Sequence, residues 1–145
     1  MSATSAWSRG QLRQAYTDAW RKHAGRLPLS SQEAAIADVI ALHPEYQALV
    51  ADAQATLAFE PGANAGEQNP FLHMGLHLAV RDQVAIDRPP GIRALHQQLQ
   101  GLHGGVHGAE HVLMDALGQV LWQAQRDGRP PDEQQYLALA RRRAC

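Results

Sequence analysis

The chain has 145 residues, of which 45% are hydrophobic and 19% are charged. This size suits one domain, and this composition is typical of globular proteins and excludes a wholly disordered chain. Thirteen basic and fourteen acidic residues give a net charge of -1, which excludes the strongly basic surface expected of a protein that binds nucleic acid or an anionic membrane. We therefore expect one domain over residues 1–145 that binds neither.

The sequence also predicts a compartment. It contains no apolar run near the roughly 20 residues that a membrane helix requires, and its N-terminus has no apolar leader. The single cysteine, Cys145, is the last residue, so no disulfide can form within the chain. These features predict a cytoplasmic protein in a reducing environment. The sequence identifies no partner, and a homodimer is one candidate assembly.

Helix start and stop signals recur along the chain, whereas the alternating pattern of strands is almost absent. Two capping boxes, each a serine followed three residues later by glutamine or glutamate, occur at 8–11 and 30–33. In a capping box both side chains bind backbone amides of the first helical turn. We therefore expect helices over 9–25 and 31–42.

A third helix is predicted to begin at Pro44, because proline fits the first turn of a helix and disfavours helix in the residue before it. Its expected inward stripe is Tyr46, Leu49, Val50, Ala53 and Leu57. The stretch that follows, 59–68, contains proline, asparagine and two glycines. We expect it to form a loop or a lid.

A fourth helix is predicted to begin at Pro70, with Asn69 as its N-cap, and to reach about residue 87. Prolines and a glycine at 88–91 end this helix. A shorter fifth helix is expected over 92–102.

Two glycines precede a sixth helix, which is expected to reach Asp127 with Val106 and Leu121 on its inward stripe. A last helix follows, with a capping signal at 132–135 and three arginines at its end. The pattern predicts an all-α, single-domain helical bundle of about four main helices and several shorter ones. Residues 1–7 and 143–145 are expected to be frayed.

Eight histidines are the outstanding feature of the composition. Four of them form two pairs with a spacing of four residues, His73 with His77 and His107 with His111. This spacing places both rings of a pair on one face of a helix. Glu110 lies on the apolar stripe of the sixth helix, where a buried carboxylate requires a partner.

Helices that each present imidazole, together with a carboxylate, are a common way for bundles to bind a metal. We therefore predict a divalent-metal site formed by His73, His77, His107, Glu110 and His111. Glu110 would be either a ligand or a base that orients a histidine or a bound water. Zinc fits this imidazole-rich set best, while iron, nickel or manganese would fit a mixed set.

Such a site permits several functions. A metal with an open position would support hydrolysis, and iron would support oxygen chemistry. The sequence decides neither between these reactions nor whether the protein is an enzyme. The alternative is a non-catalytic helical interaction protein whose histidines are structural. A structural role is also what we expect for His23, His43 and His96, while His103 stands between the two interpretations.

The stretch 69–83, Asn-Pro-Phe-Leu-His-Met-Gly-Leu-His-Leu-Ala-Val-Arg-Asp-Gln, resembles the central motif of a bacterial family known as domain of unknown function 1841. Four other segments are similar to that family: 43–46, 88–91, 107–111 and 122–132. The resemblance spans about residues 36–139. It implies that the two histidine pairs belong to one pattern, and it implies no particular activity.

Overall fold

The computed structural model of the chain describes residues 8–59 and 69–144. These residues form α-helices joined by turns and short connections, which confirms the predicted all-α class. The helices are α1 (Arg9–Ala24), α2 (Ser31–Ala41), α3 (Pro44–Ala51), α4 (Ala53–Ala58), α5 (Pro70–Ile86), α6 (Ile92–Leu102), α7 (Val106–Asp127) and α8 (Glu133–Arg142). Residues 60–68 of the predicted loop or lid, the N-terminal residues 1–7 and Cys145 lie outside the described part of the chain.

Packing divides the chain into two compact units, and the division falls inside α5, between Met74 and Gly75. The first unit contains α1 to α4 and the first turn of α5. The second contains the rest of α5 and the three helices that follow. Within the two described ranges, no helix combines the length and the apolar character needed to cross a membrane.

The helices begin where the capping signals predicted. Ser8 and Ser30 each accept a hydrogen bond from the amide three residues later, at 3.1 Å in both cases. The side chains of Gln11 and Glu33 accept the return bonds from the serine amides at 2.8 and 2.9 Å. Asn69 Oδ1 accepts bonds from the amides two and three residues later, at 3.1 and 3.2 Å. These bonds replace the intrahelical partners that a first turn lacks.

The prediction of one continuous third helix was wrong, because the chain breaks at Asp52. This residue has an extended backbone with φ -100 and ψ 103, and its carboxylate caps α4 by accepting a bond from the Ala55 amide at 3.0 Å. The break ends the expected inward stripe. Val50 before it is fully buried, whereas Leu57 after it is 47% exposed.

In the first unit, α1 contacts α2, α3 and α4. Its buried charge, Arg13, donates hydrogen bonds to the carbonyl oxygens of Thr56, at 3.3 Å, and Phe59. The guanidinium also lies 4.7 Å from the centroid of the Phe71 ring. Arg13 thus binds carbonyls at the end of α4, where helical carbonyls lack intrahelical partners.

Alkaline unfolding is expected to depend on Tyr16, a buried residue of α1. Burial raises the pKa of its hydroxyl from 10.0 to about 12, so the folded state favours the neutral phenol. The corresponding stability is complete below pH 10 and is lost between pH 10 and about 12. As the pH rises through this range, the unfolding free energy of both proteins should decrease. The decrease in Tyr16→Phe should be smaller than that in the unchanged chain by about 2–3 kcal/mol.

Denaturant titrations at several pH values would measure this difference. Tyr46→Phe is the matched control, because burial and Glu45 also raise the pKa of Tyr46, but this residue is only half-buried. We expect the control to follow the unchanged chain more closely. Equal pH dependence in Tyr16→Phe and the unchanged chain would contradict the prediction.

The second unit has a continuous apolar core made by α5, α6, α7 and α8. Its buried members include Val80, Ile92, Leu95, Leu99, Leu113, Val120 and Leu137. Val106 and Leu121, which were expected to point inward, are instead 47% and 39% exposed. Val106 is the first residue of α7, and Leu121 is rotated by about 100° from the buried Val120. The core fixes the face of α7 that carries Glu110.

Candidate metal centre

A buried carboxylate, Glu110 of α7, is the centre of a polar cluster in the second unit. Glu110 is only 4% exposed. The Nε2 atom of His77 on α5 lies 2.7 Å from Oε1, and Arg81 donates from Nε to the same oxygen at 3.2 Å. The Nε2 atom of His96 on α6 lies 3.3 Å from Oε2. The carboxylate therefore has the partners that its burial requires.

These contacts determine the protonation of Glu110 and the tautomer of a neutral His77 ring. Burial acts to raise the pKa of Glu110, but the hydrogen bond from His77 and the charge and hydrogen bond of Arg81 outweigh it and lower the pKa to about 2. At neutral pH the ionised carboxylate can only accept hydrogen bonds, so a neutral His77 carries its proton on Nε2. Its lone pair is then on Nδ1, an atom that is shielded from solvent.

Three imidazole rings are in contact next to this carboxylate. The ring centroid of His77 lies 5.4 Å from that of His107 and 5.6 Å from that of His111, in edge-to-face orientations. The centroids of His107 and His111 are 4.2 Å apart, because their spacing places them one turn apart on α7. The Nε2 atom of His111 is also shielded from solvent. The second unit thus brings together four of the five predicted site residues.

The fifth predicted residue, His73, belongs to the first unit. Its Nε2 atom lies 3.0 Å from Nε2 of His43, a residue that is 1% exposed. His43 also bonds the carbonyl oxygen of Val39 through Nδ1, at 2.7 Å. This carbonyl bond is the structural contact expected of His43. The contact with His73 was not foreseen, because it depends on the packing of two helices.

A known family matches residues 8–142, which is nearly the whole chain. The chain belongs to the family described as domain of unknown function (DUF1841). This confirms the family resemblance of the histidine-containing segments, but the description names no reaction. Comparison with curated proteins and with solved structures finds no match.

Three residues of the polar cluster in this DUF1841 chain were not predicted from the sequence: Arg81, His96 and Gln100. Arg81 lies four residues after His77, so the spacing already placed it on the same helical face. His96 interrupts the apolar face of the amphipathic helix α6. The Gln100 amide donates to His96 Nδ1 at 3.1 Å, which makes His96 Nε2 the donor to Glu110. The spacing and polarity signals were present, but they did not identify the shared carboxylate.

Two further histidines of the DUF1841 chain have structural contacts. His103 donates from Nε2 to the carbonyl oxygen of Arg143 at 2.9 Å, after the end of α8. His23 stacks on Trp20 with ring centroids 5.1 Å apart. A carbonyl bond and ring packing are the contacts expected of structural histidines. For His103 they favour the structural interpretation.

Proposed function

We propose that the protein binds a divalent transition metal, with zinc preferred, through the imidazoles of His77, His107 and His111. The observation that supports this most is the group of three rings, whose centroids are 4.2, 5.4 and 5.6 Å apart within one unit. Imidazole nitrogen is a preferred zinc ligand, and three imidazoles leave one tetrahedral position for water or substrate. Such a site would permit metal-assisted hydrolysis.

Glu110 has the position of a group that orients a ligand. Its two oxygens already accept hydrogen bonds from three side chains of α5 and α6. Histidine ligands commonly donate a hydrogen bond from their second ring nitrogen to a carboxylate. This bond sets the tautomer and makes the metal-binding nitrogen more basic. In this proposal Nδ1 of His77 is the ligand atom, and Glu110 orients the ring. Of the two roles predicted for Glu110, the proposal adopts the orienting one.

The test is zinc binding by the full chain, purified without a histidine tag and stripped of metal. We expect His107→Ala to weaken zinc binding by more than about 100-fold, because losing a ligand should cost more than the 10–100-fold caused by losing an outer partner. Competition with a chromophoric chelator at pH 7 measures this change. His23→Ala is the control, since His23 is exposed and stacks on Trp20. Equal affinities in both variants would refute the proposed ligand set.

One observation favours a second candidate, a non-catalytic helical interaction protein with structural histidines. The Glu110 cluster is satisfied by hydrogen bonds from His77, Arg81 and His96 alone. If this candidate is correct, zinc and chelators leave the unfolding free energy unchanged. If the metal proposal is correct, zinc at 100 times its Kd raises that free energy by about 2.7 kcal/mol.

A further inference from the structure

We infer that the first unit contains a second site for a divalent transition-metal ion, formed by His43 and His73. The inference rests on the proposed function in one respect, since it extends metal binding by this chain to a second ion. It uses different residues in a different unit. The two Nε2 atoms lie 3.0 Å apart, which brings two imidazole nitrogens to one point.

The surroundings of His43 prepare it to act as a ligand. Its Nδ1 atom lies 2.7 Å from the carbonyl oxygen of Val39. A carbonyl oxygen only accepts hydrogen bonds, so Nδ1 carries the proton and Nε2 presents its lone pair towards His73. Metal-bound histidines typically donate a hydrogen bond from their other ring nitrogen to a carbonyl or carboxylate oxygen in this way. At 1% exposure, His43 is also held away from solvent.

The distance between the two Nε2 atoms matches that between two nitrogen ligands of one ion. Two nitrogens bound at about 2.1 Å are roughly 3.0 Å apart at a right angle and about 3.4 Å apart at a tetrahedral angle. The observed 3.0 Å corresponds to the right-angle arrangement. The ring planes are inclined by 81°, so the rings approach edge to face. Imidazole pairs suit zinc, nickel and copper, with water or small anions completing the coordination.

Tyr46 restricts the motion of both rings. Its ring centroid lies 5.5 Å from that of His43 and 5.8 Å from that of His73. Because both imidazoles pack against this one side chain, less rotational freedom is lost when they bind an ion. A hydrogen bond from His73 to His43 would have the same length, so the experiment must distinguish a bound ion from a shared proton.

The experiment counts zinc ions bound to the full, untagged chain by equilibrium dialysis and mass spectrometry. We expect two ions per chain, falling to one in His73→Gln, to one in His107→Gln and to none in the double variant. The control is His23→Gln, which should retain both ions because His23 is an exposed residue of α1.

The outcomes separate this inference from the proposed function. A single ion that is kept in His73→Gln and lost in His107→Gln overturns the second site and leaves the proposed function intact. A single ion with the opposite dependence supports the His43–His73 site and refutes the ligand set of the proposed function. A single ion lost in both variants overturns the second site. No bound ion overturns both.

A spectroscopic measurement on the unchanged chain tests the second site without depending on the folding of a variant. Two-dimensional proton–nitrogen spectra of the imidazole groups in the unchanged chain report each ring nitrogen separately. Added zinc should shift the Nε2 resonances of His43 and His73 while Nδ1 of His43 stays protonated. If zinc moves neither Nε2 resonance, the contact is a hydrogen bond between histidines and the second site is overturned.

Discussion

Replacing Glu110 with alanine should lower the unfolding free energy by about 3 kcal/mol at pH 7, the lower end of the range for breaking a buried ion pair. The carboxylate is 4% exposed and accepts bonds from His77, which is fully buried, and from Arg81. Alanine would leave these donors without their acceptor in a poorly solvated place. We expect a loss at the lower end of that range because Arg81 is 33% exposed, so solvent screens part of its charge.

Urea unfolding followed by circular dichroism measures this loss. Asp115→Ala is the matched control, because Asp115 is an exposed acid on the same helix, α7. We expect the control to change the unfolding free energy by no more than about 0.5 kcal/mol. If both variants lose the same amount, the loss reflects α7 in general, and Glu110 does not organise the cluster.

The second large effect concerns zinc affinity. In Glu110→Gln the side chain keeps its shape but loses its negative charge, so it no longer raises the basicity of Nδ1 of His77. We expect zinc affinity to fall by about 10–100-fold, the usual effect of mutating the outer hydrogen-bond partner of a histidine ligand. The variant tests the charge of the carboxylate and not the orientation of His77, since glutamine retains an oxygen that can accept the His77 hydrogen bond.

Chelator competition at a temperature where the variant is folded measures this affinity. Asp115→Asn makes the same chemical change at an exposed position of α7 and should bind zinc like the unchanged chain. If zinc affinity in Glu110→Gln also equals that of the unchanged chain, the charge of the carboxylate has no part in metal binding. The hydrogen bond between His77 and Glu110, at 2.7 Å, would then serve only to hold the His77 ring in place.

The predictions that succeeded rest on local chemistry. A serine hydroxyl three residues before a glutamine or glutamate satisfies the amides of its own first turn, whatever the rest of the chain does. The caps at Ser8 and Ser30 were therefore predictable, as was the proximity of His107 to His111. Asp52 shows the limit of such reasoning, because an aspartate can lie within a helix or cap the next one.

The polar partners were less predictable, since they depend on how helices pack. The need of Glu110 for partners followed from its place on an apolar stripe, but its bonds to Arg81 and His96 cross between helices. His73 and His77 share one helical face by spacing. The contacts of His73 with His43 and of His77 with Glu110 belong to different units, which no periodicity reveals.

The most direct test of metal binding in the second unit is zinc K-edge X-ray absorption on the zinc-loaded His73→Gln variant, which removes a ligand of the second site. The three-imidazole site predicts nitrogen scatterers at about 2.0–2.1 Å with the outer scattering of three histidine rings. It also predicts that His107→Ala, added to this variant, reduces that imidazole scattering. A spectrum without imidazole scattering, or one that His107→Ala leaves unchanged, would contradict it.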